Sequence, residues 1–451
     1  MKNLLRGPVV AAIACAFVAC AGPPALPGQP VTARAHAVRR GTDSPIKHVV
    51  IIVQENRSFD NLFYGFPGAR TATYGYNSSG KKIALSPLSL ATNWDIVHDL
   101  DAFFAACNSK RGLPGTHCRM NGFNKEELTC GSTCPPHAQY TYVPHDQVKP
   151  YFFMGQHYVL ADEMFASNLD ASSFVSHQYI IAAQASSSVN YPSNVWGCLG
   201  TQRYGVDEIQ TITLQRQYGN AIQMCWDNDT IGAEMDKAGK SWAYYAATVN
   251  NEFGGGIWSA YQNIDPIFNG QDWAQDVISP PTNFFDDVKA GKLRDLTWIT
   301  PTFPNSDHAG SNSLTGPHWV ASLVNAIGKS KYWNTTAIFI FWDDYGGWYD
   351  SVPPKMLDYD GLGFRIPMLI VSPYAKDGYV DHTHYEHGSI LKFVEQLFNL
   401  PTLAKSDARA TAPYNAFDFT KPARAFEKIP SAHDAEFFKH QPPDHRDPDP
   451  G

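Results

Sequence analysis

The sequence predicts an α/β fold in three layers, a mostly parallel central sheet with helices packed on both faces. Three observations carry this. Short, unbroken apolar runs of strand length recur along the chain; segments with helical apolar spacing lie between them; and no internal repeat is present. Strands buried on both faces read as continuous apolar runs, and alternation with amphipathic helices is the pattern of parallel sheets.

Taken in order, the first strand is Ile46 to Val53 (IKHVVIIV), and a further one is expected at Trp242 to Thr248. Leu296 to Thr300 reads as another. Pro317 to Lys329 places Trp319, Val320, Leu323, Val324 and Ile327 on one helical face. Thr336 to Trp342 (TAIFIFW) and Ile366 to Val371 (IPMLIV) are again unbroken apolar runs. Ser389 to Asn399 then groups Ile390, Leu391, Val394, Leu397 and Phe398 on one side of a helix. In such sheets ligands bind beyond the carboxyl ends of the strands.

Composition narrows the classes. The 451 residues carry 35 Lys+Arg against 43 Asp+Glu, a net charge of −8. A nucleic-acid protein would show a basic face, so no nucleic-acid partner is expected. Charged residues are 17% of the chain and aromatics 13%, which excludes global disorder. Lys2 and Arg6 precede the apolar run Val9–Val18, and small residues follow it. This reads as an export signal over residues 1–20, since a membrane-spanning helix needs about 20 apolar residues. Phe17-Val18-Ala19-Cys20 also resembles a lipobox, which would make Cys20 a lipid anchor; simple cleavage is the alternative. Either way the mature protein is expected to be periplasmic, secreted or an outer-membrane lipoprotein. Residues 21–45 read as a linker, 46–425 as one domain, and 426–451 as a loose tail rich in Pro and Asp.

Six cysteines remain beyond the signal, all between 107 and 225. An even number in an exported chain suggests disulfides. Pairing nearest neighbours gives Cys107–Cys118, Cys130–Cys134 and Cys198–Cys225, one of 15 possible connectivities. A zinc site at Cys130 and Cys134 is the rival reading.

Two strands end in oxygen ligands. The first runs into Glu55-Asn56, the second into Asp343-Asp344 followed by Gly346-Gly347. Carboxylates and an amide oxygen suit Mg, Ca or Mn, and zinc also accepts carboxylates. Each pair alone is compatible with a solvated loop; two pairs on strongly apolar strands point to one divalent cation. His98, His308 and the group His382, His384 and His387 are candidate donors or leaving-group acids. Ser172, Ser173 and Ser176 offer hydroxyls that a nearby cation would activate, or else cap a helix. Trp342, Tyr345 and Trp348 flank the second pair, either as core or as the lining of a lipid mouth.

These residues are similar to a known family. Glu55-Asn56-Arg57-Ser58-Phe59-Asp60 after an apolar strand resembles the opening signature of the bacterial phosphoesterases. That family includes non-haemolytic-type phospholipases C and acid phosphatases. Asp343-Asp344-Tyr-Gly-Gly-Trp-Tyr-Asp350-Ser351-Val-Pro-Pro resembles its acidic pair followed by Gly-Gly-Phe-Tyr-Asp-His-Val-Pro-Pro, with Ser351 in place of His. Arg365-Ile-Pro-Met-Leu-Ile-Val-Ser-Pro-Tyr and Tyr385-Glu-His387-Gly-Ser-Ile-Leu resemble later blocks. The resemblance runs from about residue 46 to 420.

It implies an alkaline-phosphatase-like fold and a phosphoesterase catalytic domain. It also implies a divalent metal held by Glu55, Asn56, Asp343 and Asp344. Aligned on Tyr179, the family nucleophile falls at Ser173, where Val175, Ser176 and His177 replace the family's Pro, Asn and Arg; Ser172 is the alternative. His98 and the Asp307-His308 pair match elements that contact phosphate or serve the leaving group. The implied substrates are phosphate esters, including phospholipids. An exported binding or surface protein that kept the fold without catalysis is the alternative of a different class.

Overall fold

A computed structural model describes residues 44–109, 113–193, 196–200, 207–247 and 256–446. All of them belong to one compact unit, Arg39–Gly451. The expected export signal, the Cys20 anchor and nearly all of the expected linker lie outside the described residues.

Nine strands form the main sheet: β1 (His48–Gln54), β2 (Val159–Phe165), β3 (Trp242–Tyr245), β4 (Val277–Ile278), β5 (Leu296–Ile299), β6 (Thr336–Trp342), β7 (Arg365–Val371), β8 (Tyr379–Asp381) and β9 (Tyr385–Glu386). Across the sheet they run β4-β3-β5-β1-β6-β7-β2-β8, with β9 also paired to β2. β1 lies centrally, in parallel register with β5 and with β6, where Gln54 stands opposite Trp342. Every residue of β6 and β7 is buried, as an unbroken apolar run requires. β7 is the one reversed strand, antiparallel to both β6 and β2. Apolar periodicity is blind to that direction, because burial on both faces gives the same pattern either way.

Helices α1 (Phe59–Phe63), α2 (Leu100–Cys107), α3 (Lys149–His157), α4 (Ser173–Ala182), α5 (Ile231–Lys237), α6 (Gly316–Gly328) and α7 (His387–Phe398) follow. The layers are legible on β6. Phe339 meets Phe393 at 5.2 Å and Phe341 meets His387 at 5.4 Å, both on α7. Trp342, one residue on, meets Tyr151 of α3 at 5.0 Å. Successive strand residues point to opposite faces, so α7 and α3 cover opposite faces. α4 and α5 pack beside α7, and α6 beside α3. The three-layer α/β/α architecture read from the sequence is therefore present. α7 begins two residues earlier than its apolar stripe suggests, because a Glu386–Ser389 capping box fixes its start.

The three disulfides are Cys107–Cys118, Cys130–Cys134 and Cys198–Cys225. Cys130 and Cys134 thus hold each other and not zinc. Residues 426–446 are not a loose tail. Ile429 and Phe438 are buried, Asn325 of α6 exchanges two 2.9 Å hydrogen bonds with Ile429, and Trp319 stacks edge-on against Phe438. Composition favoured disorder there, but a few apolar anchors are enough to dock the segment. Among the described residues no helix is long and apolar enough to cross a membrane.

One buried cation ties the sheet to the turns beyond it. Arg365 of β7 donates to both oxygens of Asp350, at 2.9 and 3.1 Å, and lies 3.5 Å from Asp60. Its guanidinium also covers the ring of Phe59 at 4.4 Å. Asp60 and Asp350 belong to the two turns that carry the candidate ligands. Burial, then the Asp350 charge, push the Asp60 carboxyl up to about 6 even with Arg365 opposing. Replacing Arg365 with Met leaves two buried acids without their cation, so we expect a loss of about 3–5 kcal/mol in urea unfolding. Lysine should restore little of it, since it lacks the two-pronged fit.

Candidate active site

β1 and β6 leave the sheet side by side. The Asp343 N–H donates to Gln54 O at 3.0 Å, extending the ladder one residue past the strands. Glu55-Asn56 and Asp343-Asp344 therefore emerge together, all four fully buried. Asn56 adopts a left-handed φ of 60°, and its N–H donates to Asp343 Oδ1 at 3.1 Å. Gly346 makes this approach possible: a Cβ there would sit 2.1 Å from Asn56 O. The rest of each motif is frame. The Ser58 hydroxyl caps α1 and donates to Tyr349 O, the Asp60 N–H donates to Asp350, and the Ser351 N–H donates to Asp60.

The structure brings two of the expected ligands, Glu55 and Asp343, together with His177, which the sequence reading did not name as a ligand. One donor atom from each of Glu55, His177 and Asp343 lies within 4.8 Å of the others. His177 Nε2 is 3.1 Å from Glu55 Oε1 and 3.9 Å from Asp343 Oδ2. Donors around one tetrahedral ion with bonds near 2.1 Å stand about 3.4 Å apart, so the spacing fits. Burial holds the His177 pKa down at about 4, with Asp343 opposing, so the imidazole is neutral and has a lone pair to give. Burial pushes the Asp343 carboxyl up, but its neighbour His177 and hydrogen bonds with Glu55, the Asn56 N–H and the Ser173 hydroxyl outweigh it and leave the carboxyl below its usual range. Two carboxylates and a neutral imidazole packed this closely away from water call for a cation, so the residues present fit a divalent metal.

Asn56 and Asp344 sit toward the other side. Asn56 Nδ2 donates to His98 Nε2 at 2.7 Å, and Asp344 Oδ1 accepts from the Gly346 N–H and lies 4.0 Å from His98 Nε2. The buried Asn56 Oδ1 makes no hydrogen bond. His98 Nδ1 faces Ile96 O at 2.6 Å, which sets its tautomer. Its ring is 6.1 Å from that of His308. His308 directs Nδ1 to Ala309 O, with Asp95 at 3.8 Å, and leaves a buried Nε2 without a hydrogen bond.

Asp307 faces elsewhere. Its Oδ2 accepts from the Tyr151 hydroxyl (2.7 Å) and Trp342 Nε1 (3.0 Å), and its backbone binds Arg57 and Gln54. Burial raises its pKa to about 6, against Tyr151, Arg57 and Trp342. It anchors the loop that presents His308.

Ser173 opens α4 on the same side as the triad. It is fully buried, lies beside Asp343 and makes no ordinary hydrogen bond. Ser172 is engaged: its Oγ lies 2.7 Å from Asp170 Oδ2 and 2.8 Å from Asn190 O. His177 follows Ser173 by four residues, so one helix face presents both. That spacing was the available signal for His177. Of the three later histidines, His382 bonds Asp162 and His384 stacks on Phe165. His387 is buried at the start of α7, close enough to Asp343 to feel its charge, although burial holds its pKa at about 4. Trp342, Tyr345 and Trp348 are core, none more than 1% exposed.

At the carboxyl edge of an α/β sheet, a group of candidate cation ligands thus stands beside a buried hydroxyl and two imidazoles. The chain belongs to the phosphoesterase family, which matches it over residues 46–401. It is 25% identical over 405 residues to a non-hemolytic phospholipase C of Burkholderia pseudomallei, an alignment covering 80% of this chain and 56% of that enzyme. It is 24% identical over 417 residues to non-specific phospholipase C3 of Arabidopsis thaliana, covering 81% and 72%. It is 24% identical over 432 residues to phospholipase C A of Mycobacterium tuberculosis, covering 84% and 78%. The chain thus spans little more than half the length of the Burkholderia relative. Among solved structures, an alkaline phosphatase superfamily protein from Vibrio parahaemolyticus aligns over 84% of this chain and 70% of its own, at 10% identity and a TM-score of 0.36.

Proposed function

We propose that this protein is an exported, metal-dependent phosphoesterase that cleaves phosphate esters, phospholipid headgroups or soluble monoesters, through Ser173. The observation that carries the reading is the Ser173 hydroxyl, buried without an ordinary hydrogen bond beside Asp343 of the Glu55–His177–Asp343 triad. Glu55, His177 and Asp343 would hold the cation, with the Asn56 amide oxygen and Asp344 adjoining. An imidazole nitrogen in the set favours zinc over calcium, magnesium and manganese. When bound, the cation supplies positive charge that lowers the pKa of the serine hydroxyl and neutralises phosphoryl oxygens.

The chain's own residues do the rest. Ser173 Oγ gives up its proton to solvent water and forms a bond to phosphorus as the bond to the leaving oxygen breaks. His308 acts as the imidazolium, having taken up a proton from solvent: Nδ1–H stays on Ala309 O and Nε2–H delivers its proton to the leaving oxygen. His98 is oriented by Ile96 O, and Asn56 Nδ2 provides a further donor to the equatorial oxygens. Water then hydrolyses the phosphoserine. Three disulfides and the Lys2–Val18 pattern support export to an oxidising compartment.

The test is release of para-nitrophenol from its phosphate monoester and from its phosphorylcholine diester, with zinc, manganese, magnesium or calcium added. We expect turnover of at least one ester, dependent on the ion. Turnover of neither with any ion would favour the non-catalytic surface protein instead.

A further inference from the structure

Asp170 is fully buried and has no part in the steps above. It lies three residues before Ser173. Its Oδ2 accepts from the Asn190 N–H at 2.8 Å and stands 2.7 Å from Ser172 Oγ; its Oδ1 makes no hydrogen bond. Ser172 Oγ is also 2.8 Å from Asn190 O. The protons can be counted. A hydroxyl has one, yet Ser172 Oγ faces two oxygen acceptors at hydrogen-bonding distance. With an ionised Asp170, one of those contacts holds no proton. A carboxylic acid supplies it, giving a chain from Asp170 to Ser172 to Asn190 O.

Asn190 extends the network. It holds a left-handed φ of 62°, its Oδ1 accepts from the Leu100 N–H (3.2 Å), and its Nδ2 donates to the Tyr218 hydroxyl (3.1 Å). Leu100 starts α2, two residues after His98. Asn190 therefore joins the turn that presents Ser173 to the segment that presents His98.

We propose that Asp170, as the neutral acid, and Asn190 are positioning residues that lock the nucleophile turn to the His98 segment. The proposal rests on Ser173 being the nucleophile. The neutral form matters because the phosphoryl group arrives at the N-terminus of α4, where a carboxylate three residues away would repel it. The surroundings favour the acid. Burial raises the Asp170 carboxyl to about 7, against its bonds from Ser172 and the Asn190 N–H, and the Asp99 charge at the cap of α2 adds to the rise. Beyond Asn190 the facing titratable groups are Tyr218 and Asp101.

The test uses the full chain with Asp170→Asn and Asp170→Ala, and Ser173→Ala as the control for the nucleophile. Asp170→Ala should lower kcat about 10- to 100-fold while KM stays within about twofold, as expected for lost positioning. Asp170→Asn, always neutral but able at that place either to donate to Ser172 or to accept from the Asn190 N–H and not both, should fall between the wild type and Asp170→Ala in kcat at pH 6 and decline less than the wild type above pH 7.

Thermal melting gives a readout independent of activity. A pKa of about 7 in the folded protein, against the 3.8 of an ordinary aspartate, means that the acid form's contribution is complete below pH 4 and is lost as pH rises through 7. Asparagine has no such dependence. The melting temperature of Asp170→Asn relative to wild type should therefore rise by about 3 °C from pH 5 to pH 8.

An asparagine variant as impaired as the alanine one, a loss confined to KM, or a melting difference indifferent to pH would overturn the proposal. A Ser173→Ala protein of full activity overturns the nucleophile assignment instead, and the melting comparison still decides the state of Asp170.

Discussion

Replacing Ser173 with alanine should reduce kcat at least about 1000-fold with the metal content and fold unchanged. The hydroxyl is buried at the start of α4, makes no ordinary hydrogen bond and stabilises nothing but the charge of Asp343. Its removal therefore leaves neither a stranded polar partner nor a large cavity, and a loss of activity cannot be traced to unfolding. Ser172→Ala provides the contrast. That hydroxyl is already occupied by Asp170 and Asn190, so its loss should disturb alignment and cost about tenfold in kcat. Stopped reactions of the wild type should contain phosphoserine at 173 by mass spectrometry. Equal losses in the two variants, or label at 172, would reverse the assignment of the nucleophile.

Asp343→Asn should be comparably severe, by a different route. Asparagine keeps the size of the side chain and can still accept from the Asn56 N–H, so the turn should hold. What disappears is the negative charge next to His177 and Glu55. With one formal charge fewer, the triad should release its cation, and both bound metal and kcat should fall by about 100-fold or more. His177→Ala separates the imidazole's roles. A protein that loses metal identifies His177 as a ligand; one that keeps metal stoichiometrically while losing activity would remove it from the triad. Metal content by mass spectrometry after extensive dialysis measures both.

The sequence made the frame of this site readable because the relevant signals are local. Glu55-Asn56 and Asp343-Asp344 follow apolar strands directly, and parallel pairing of β1 with β6 was enough to put them side by side. Asn56 and Asp344, read simply as ligands, instead spend part of their bonding on His98 and the Gly346 turn. His177 was passed over because it occupies a position where the family pattern holds another residue, although its spacing from Ser173 places both on one face of α4. Asp307 was read as part of the catalytic pair with His308, and its anchoring role was not readable. Its partners Tyr151 and Trp342 lie 156 and 35 residues away, and only the packing of α3 against β6 brings them to it. The direction of β7 and the docking of residues 426–446 were hidden for a related reason. Both depend on which surfaces meet, and residue spacing does not encode that.

The complete burial of Glu55, His177 and Asp343 has a kinetic consequence. An ion seated there leaves only when the surrounding turns open, and those turns are pinned through Asp60, Asp350 and Arg365. Its exchange rate is then set by protein opening and not by the strength of the chelator outside. Brief treatment with EDTA should spare the activity, while the same chelator in mild denaturant should remove it. Loosening the pin with Arg365→Met should convert the centre from a slow exchanger to a fast one.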